Sequence, residues 1–326
     1  MQDDAVAAEN NEPGHGREAM RPHQIPLAGL KDVFWRLYAA INEDRVMLVA
    51  AGVTYYLLLA LFPAMAALVS LYGFFASPSQ IAERIQFLSA VMPTDALNIF
   101  IEQLRSLATQ DSSTLSIGLI AGLAIALWSS NNGMKALFEA MNVAYEEEEK
   151  RGFLKLTAVS LMFTLGAMVL VVVLIVTVGV VPAVLSFIYL GGWAEIVISL
   201  LRWPLLLLFI TSGIALLYRF GPSREPAQAR WLSWGTIFAT VFWLLASVAV
   251  SYYLSNFANY NATYGTLGAL IGFMVWTWIS VIIVIVGAEL NAELEHQTAQ
   301  DTTTGPAQPM GERGAYMADH LGKTSS

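Results

Sequence analysis

Long apolar stretches separated by short polar connections dominate the pattern of residues along the chain. A helix that crosses the hydrocarbon core of a membrane needs about 20 apolar residues, and six stretches reach or approach that length. They lie at 46–75, 115–134, 156–182, 196–218, 231–254 and 265–288. The pattern predicts an all-α integral membrane protein with six transmembrane helices.

Two further segments are amphipathic rather than continuously apolar. One (27–44) precedes the first predicted span and the other (77–110) follows it. Apolar residues at helical spacing beside charged ones favour helices that lie at the membrane surface. Polar residues dominate both ends of the chain, at 1–28 and 297–326, and this composition predicts disordered tails around a membrane domain at 29–296.

Composition agrees with a membrane protein and excludes several other classes. Hydrophobic residues make up 56% of the chain, charged residues 13%, and the mean hydropathy is +0.57, whereas about a quarter of a soluble domain is charged. With no cysteine, the chain has neither disulfides nor cysteine-ligated metal sites. The net charge of -8 comes largely from acidic termini and the run at 146–149 and says little about partners, but the lack of a clustered basic face argues against nucleic acid.

The distribution of basic residues predicts the orientation. Cytoplasmic connections carry an excess of Lys and Arg, and 14 of the 17 basic residues fall on one side of the six predicted spans. Only Arg84 and Arg105 fall on the other side, and Arg202 lies within a span. We therefore expect both termini in the cytoplasm.

The first predicted span carries polar and helix-bending residues on one side. At 100° per residue, five side chains project within about 40° of one direction. They are Arg45, Gly52, Tyr56, Leu59 and Pro63. Such a face normally turns inward in a membrane, so these residues, together with Tyr55, either pack against other helices or line a substrate path.

Arg202 is the one basic residue that hydropathy places inside a span. An arginine in the middle of a membrane costs about 2.5 to 3.5 kcal/mol on insertion scales. Near a helix end, however, its side chain can reach the interface, and Glu195 on the same helical face could be its partner. Structural anchoring and binding of an anionic head group or substrate both remain open.

Polar residues also cluster where the second predicted span ends, in the sequence WSSNNGMK. Asn131, Asn132 and Lys135 could pair across helices or line a water-filled vestibule. Alternatively, the helix simply leaves the membrane at this point.

Two candidates remain in the last third of the chain. Tyr264 belongs to an uncharged connection rich in Asn and Tyr, and Glu289 shares a helical face with Glu293 and His296. Glu293-x-x-His296 matches a metal-binding spacing, but a carboxylate-bridged two-metal site needs a second such motif, which the sequence lacks. We therefore expect no metal or other cofactor, and interpret Glu289 as part of a polar inner end.

Five ordered motifs resemble the YihY/BrkB family of bacterial inner-membrane proteins. They are RVMLVAAGVTYYLLLALFPAMAAL, LWSSNNGMKALFEAMNVAY, YRFGP followed by ARWLSWG, YGTLGALIGFMVWTWIS and GAELNAELE, and the similarity covers roughly residues 30 to 296. Members of this family have carried the labels ribonuclease BN and virulence factor. The resemblance implies a location in the cell inner (plasma) membrane and a role in the cell envelope, including lipid export.

These observations lead to one expectation about function and one alternative. We expect a non-enzymatic protein that handles or translocates a lipid-like or anionic envelope component, with membrane lipids as partners and a homo-oligomer compatible with the sequence. The alternative is a structural or assembly factor of the envelope that transports nothing. Ribonuclease activity is not expected, because the sequence offers no soluble catalytic domain, basic surface or metal cluster.

Overall fold

A computed structural model describes residues 14–73, 112–175, 177, 192–256 and 268–324. Within these ranges a 3-10 turn (Pro22–Gln24) precedes eight α-helices. They are α1 (Leu27–Glu43), α2 (Val46–Gly73), α3 (Ser112–Ala144), α4 (Phe153–Ile175), α5 (Gly192–Phe220), α6 (Ala229–Asn256), α7 (Gly268–Glu295) and α8 (Tyr316–Asp319). Ala227 and Thr303 form one isolated β-bridge. The predicted all-helical fold is confirmed for these residues, and α2 to α7 correspond to the six predicted spans.

Four of these helices are long and apolar enough to cross a membrane. In the described part of the chain, the qualifying stretches are Phe153–Leu170, Trp203–Phe220, Ala229–Leu254 and Leu270–Glu295. Helix α2 adds a shorter apolar stretch, Val46–Ala60. The structure thus supports a membrane protein with at least these four candidate spans, and the count of six stays a prediction.

One end of the helix bundle gathers most of the polar side chains. The long helices alternate in direction, so the start of α2 lies beside the ends of α3, α5 and α7. Four connecting or terminal segments meet there, at 14–45, 145–152, 221–228 and 296–324, and we call this region the polar end. Backbone hydrogen bonds connect these segments. The Gln228 N–H donates to the Thr302 carbonyl at 2.8 Å, and the Ala299 N–H donates to the Arg17 carbonyl at 2.8 Å.

The main apolar core lies next to the polar end. Helix α2 contributes the small and β-branched residues Val46, Ala50 and Val53, which pack with Phe138 of α3 and Tyr218 of α5. Farther along the helices, many large apolar side chains face outward. Lipid tails are as apolar as these side chains, so their exposure is compatible with a membrane.

The C-terminal segment differs from the predicted disordered tail. Gln297, Thr298 and Thr302 are completely buried, and the Arg313 side chain donates to backbone carbonyls, including that of Ala318 at 2.6 Å. The N-terminal segment is also packed from residue 14, where Thr298 Oγ1 donates to the Ala19 carbonyl. Composition missed this order because hydrogen bonds from polar side chains, rather than a large apolar core, hold these segments together.

Helices α6 and α7 approach closely at two glycines. A Cβ atom at Gly235 would collide with the Gly287 carbonyl oxygen and the Asn291 side chain. Because neither glycine has a side chain, the helices come close enough for Asn291 Oδ1 to accept a hydrogen bond from the Gly235 N–H at 2.7 Å. Farther along the same pair, two Trp–Ser hydrogen bonds cross in opposite directions: Trp243 to Ser280 at 3.0 Å and Trp276 to Ser247 at 3.1 Å.

Candidate functional site

The predicted inward face of α2 is the exposed face. Tyr56 is 38% and Leu59 45% exposed, and a side chain at Gly52 would meet open space. The opposite face, with Val46, Ala50 and Val53, is buried. Projection angles group residues on one side of a helix but do not tell which side meets a neighbour. Here small and β-branched residues provide the contact, so the expectation of an inward tyrosine face is wrong.

Arg45 and the tyrosine pair therefore occupy the surface of the molecule. Arg45 is exposed and lies between α1 and α2 with a φ of 50°. Tyr55 and Tyr56 contact each other edge to face, with ring centroids 5.7 Å apart. A Cβ atom at Gly133 would lie 3.5 Å from Tyr56 Cβ, so Tyr56 marks the edge of the contact between α2 and α3.

The polar residues of α3 meet α4 along a seam. Asn131 is buried and its Oδ1 accepts a hydrogen bond from Ser160 Oγ at 2.6 Å. One helical turn later, Lys135 Nζ donates to Thr157 Oγ1 at 2.9 Å and lies 5.1 Å from the centre of the Phe153 ring. Among the alternatives that the sequence left open, these hydrogen bonds favour pairing across helices for Asn131 and Lys135, with α4 as the partner.

The outer edge of this seam combines a cation with exposed aromatic rings. Trp128, Asn132 and Lys135 follow one another at spacings of four and three residues, so they share a face of α3. Trp128 is 71% exposed, Asn132 and Lys135 are half-buried, and Phe153 on α4 is exposed. Within the described residues, no carboxylate forms an ion pair with Lys135. We call Trp128, Asn132, Lys135, Phe153 and Thr157 the lysine seam.

Three other candidates lie wholly or partly outside the described residues. Tyr264 lies outside them completely. Arg202 and Pro63 contribute backbone to α5 and α2, but their side chains are outside the description. Their predicted roles stay predictions.

Glu289 lies in the polar end and contacts a second carboxyl group. It is 1% exposed, and its carboxyl lies within hydrogen-bonding reach of Asp44, the residue that follows α1. Burial is the main cause that raises the pKa of Asp44 above its ordinary value, and the charges of Glu146 and Glu43 add to it. The sequence identified Glu289 as polar but gave no sign of its partner.

The Glu-x-x-His spacing would offer the Glu293 carboxylate to a metal, but Arg36 binds that carboxylate instead. Its guanidinium donates to Glu293 Oε2 at 2.5 Å and to Gln297 Oε1 at 2.8 Å. Burial and the nearby Arg36 charge lower the pKa of His296 to about 3. His296 is therefore neutral at physiological pH, and this corner is a set of ion and hydrogen-bond contacts between α1 and the end of α7.

A buried ion pair joins the connection after α5 to the end of α7. The Arg224 guanidinium lies 2.7 Å from Glu295 Oε2, and the two side chains are 2% and 0% exposed. Glu295 also accepts from Thr302 Oγ1 at 2.9 Å, and Arg224 lies over the Tyr145 ring at 4.8 Å. The sequence identified Arg224 only as one of the basic residues in a connection between helices, because the positive-inside rule contains no information about ion pairs.

A second network fixes the connection between α3 and α4. Arg151 binds Glu149 through two nitrogens, each at 2.7 Å, and Asn142 Oδ1 accepts the Ser223 N–H at 2.7 Å. Burial would raise the pKa of Glu149, but hydrogen bonds from Arg151 and Asn142 lower it to about 2. These contacts tie the two internal connections of the polar end to each other.

A family model described as virulence factor BrkB matches residues 37–311. The chain belongs to the BrkB family. The match begins within α1 and runs past α7 into the buried C-terminal segment, so the BrkB-family region includes most of the polar end. It also extends beyond residue 296, where the sequence motifs had ended.

Curated relatives of this BrkB-family chain cover nearly its whole membrane region. A ribonuclease-like protein, YfkH of Bacillus subtilis, is 32% identical over 282 residues, which are 82% of this chain and 95% of YfkH. A UPF0761 membrane protein of Haemophilus influenzae is 23% identical, and the alignment covers 83% of this chain and 97% of the relative. A UPF0761 membrane protein of Tolumonas auensis is 27% identical, and the alignment covers 83% of this chain and 87% of the relative. No solved structure matches. The comparisons show a BrkB-family membrane protein.

Proposed function

We propose that this BrkB-family protein binds and moves a lipid-like, anionic component of the envelope through six spans in the inner membrane. The lysine seam is the observation that carries the proposal. A cation with a hydrogen-bonding amide beside it lies next to exposed aromatic and apolar side chains. Such a surface matches a molecule with an anionic head group and hydrocarbon tails.

The chemistry of Lys135 fits an anionic head group. An ammonium group has three donors, and the structure assigns one of them to Thr157 Oγ1. The other two are available to phosphate or carboxylate oxygens. A basic residue near an anionic lipid surface contributes about 1 kcal/mol, which corresponds to about a fivefold change in affinity.

The orientation follows from the polar end. The long helices place 14–45, 145–152, 221–228 and 296–324 at one end of the bundle, and these segments contain most of the basic residues. The positive-inside rule assigns this end, and with it both termini, to the cytoplasm. The lysine seam would then lie at the cytoplasmic half of the membrane.

The alternative is a structural or assembly factor of the envelope. The hydrogen bond between Asn131 and Ser160 and the reciprocal Trp–Ser bonds between α6 and α7 favour this function, because polar side chains in these places join helices. Under this alternative Lys135 supports the contact between α3 and α4 and binds no lipid.

We further propose that the protein has no ribonuclease activity. The name of the Bacillus subtilis relative describes that protein as ribonuclease-like. In this chain, three of the basic side chains of the polar end, Arg36, Arg151 and Arg224, are engaged by carboxylates, which leaves less free positive charge for a phosphate backbone. Purified protein should degrade labelled RNA no faster than a control preparation made in the same way from membranes without the protein.

A lipid transfer assay tests the main proposal. The full chain is reconstituted in vesicles of phosphatidylethanolamine and phosphatidylglycerol, and movement of labelled phosphatidylglycerol between leaflets is followed. Wild-type protein should accelerate it, and Lys135→Gln should reduce the apparent affinity about fivefold. Lys155→Gln is the matched control, because Lys155 is an exposed lysine on α4. Wild-type protein without acceleration, or equal effects of both variants, would favour the structural alternative.

A further inference from the structure

The carboxyl groups of Asp44 and Glu289 lie near each other at the polar end. Asp44 comes from the two-residue corner between α1 and α2, and Glu289 comes from α7. The two groups lie within hydrogen-bonding reach. An ionised carboxylate only accepts hydrogen bonds. A hydrogen bond can therefore form between the two groups only when one of them holds a proton.

One oxygen of the buried Glu289 carboxyl has no donor among the described residues. Glu289 is 1% exposed, and its Oε1 atom has no hydrogen-bond donor among them. A buried acceptor without a donor destabilises the folded state, and more so when it is charged. A proton held between the carboxyl groups removes this destabilisation, because it supplies the missing donor and cancels one charge.

The charged groups around the pair are mainly acidic. Glu43 faces it from α1, Glu146 from the connection after α3, and Glu293 from α7. Tyr145, at the end of α3, faces the pair as a neutral phenol.

Two basic side chains of the polar end have other partners. Arg36 is bound to Glu293 and Gln297, and Arg224 is bound to Glu295. Arg45, the residue after Asp44, has an exposed side chain.

We propose that Asp44 and Glu289 form one proton-binding site. Two like charges in a buried place repel each other, so the pair ionises in two linked steps.

The direction of the pH effect follows from proton binding. Over the range where the folded pair keeps its proton and the unfolded chain has lost it, the native state binds more protons. Stability then falls as pH rises through that range. Burial raises the pKa of Asp44, which agrees with this sign. The site does not depend on lipid transport, so a negative lipid assay leaves it unchanged.

Infrared spectroscopy on the full chain in nanodiscs tests the site. At neutral pH, wild-type protein should show the carbonyl stretch of a protonated carboxyl group, with a shift in heavy water. Glu289→Gln and Asp44→Asn should each abolish that band, because the remaining carboxylate then accepts from the new amide. Glu43→Gln is the control, since it removes a nearby exposed acid and should leave the band. A wild-type spectrum without the band, or a band that persists in Glu289→Gln, overturns the proposal.

Thermal unfolding provides a second measurement. The Tm of wild-type protein should fall from about pH 5 to about pH 8, and Glu289→Gln should flatten this slope while Glu43→Gln keeps it. An unchanged slope in Glu289→Gln contradicts the proposal. If a variant does not fold, the wild-type infrared band at neutral pH decides the question by its presence or absence.

Discussion

Replacing Arg224 with methionine is expected to destabilise the polar end strongly. The substitution keeps a long side chain but removes the guanidinium from Glu295, which is 0% exposed. The Thr302 hydroxyl then remains as a donor to the Glu295 carboxylate. A buried carboxylate with one hydroxyl donor and no cation is poorly compensated.

The size of the effect follows from the burial of both partners. Removing one member of a buried ion pair costs about 3 to 5 kcal/mol, because the other charge stays desolvated. Loss of the cation from the face of Tyr145 acts in the same direction. For a chain of this length, such a change corresponds to a fall in Tm on the order of 10 °C.

Thermal unfolding of the full chain in mild detergent, followed by circular dichroism, measures this fall. Arg230→Met is the matched control, because Arg230 is exposed near the start of α6, and its effect should stay within about 0.5 kcal/mol. The double variant Arg224→Met with Glu295→Met should recover most of the stability, since it leaves no buried charge. Equal Tm values for Arg224→Met and Arg230→Met would refute the assignment of a stabilising buried pair.

Two other predictions use different measurements. Gly235→Ala should lower the free energy of unfolding by about 1 to 3 kcal/mol, since its Cβ would collide with the Gly287 carbonyl. Gly166→Ala on α4 is the control, because its Cβ meets open space and the change should be neutral or stabilising. Chemical denaturation measures both variants, and equal losses of stability would contradict the close α6–α7 contact. A single cysteine in place of the exposed Glu148 should be protected from an impermeant thiol reagent in whole cells, because the proposed orientation puts it in the cytoplasm. A single cysteine in place of Asp95 should react with the reagent. The opposite pattern would reverse the proposed orientation.

Hydropathy was sufficient to locate the long helices. Helix α6, predicted at 231–254, is observed at Ala229–Asn256, and α7, predicted at 265–288, is observed at Gly268–Glu295. The end of α7 was missed because its last turns carry Glu and Asn, which end an apolar pattern without ending a helix. At about 1.5 Å per residue, 28 residues span about 42 Å, more than a hydrocarbon core of about 30 Å.

The site was harder to predict because its contacts are long-range. Asn131 and Lys135 were recognised as polar residues near a membrane, but their partners on α4 depend on how two helices pack. The contacts of Asp44 with Glu289 and of Arg36 with Glu293 join α1 and the corner that follows it to α7. Hydropathy and charge counts along one chain describe local environment and contain no information about such pairs.

The joining of distant segments in the polar end has a consequence for biosynthesis. A ribosome makes Arg36, Asp44 and Arg224 before it makes Glu289, Glu293, Glu295 and the segment up to Thr324. Until then, these early residues lack the partners that bury them in the finished protein. These contacts can therefore form only after α7 and the C-terminal segment have been made, and we expect a chain that stops before α7 to leave these charged groups without their partners.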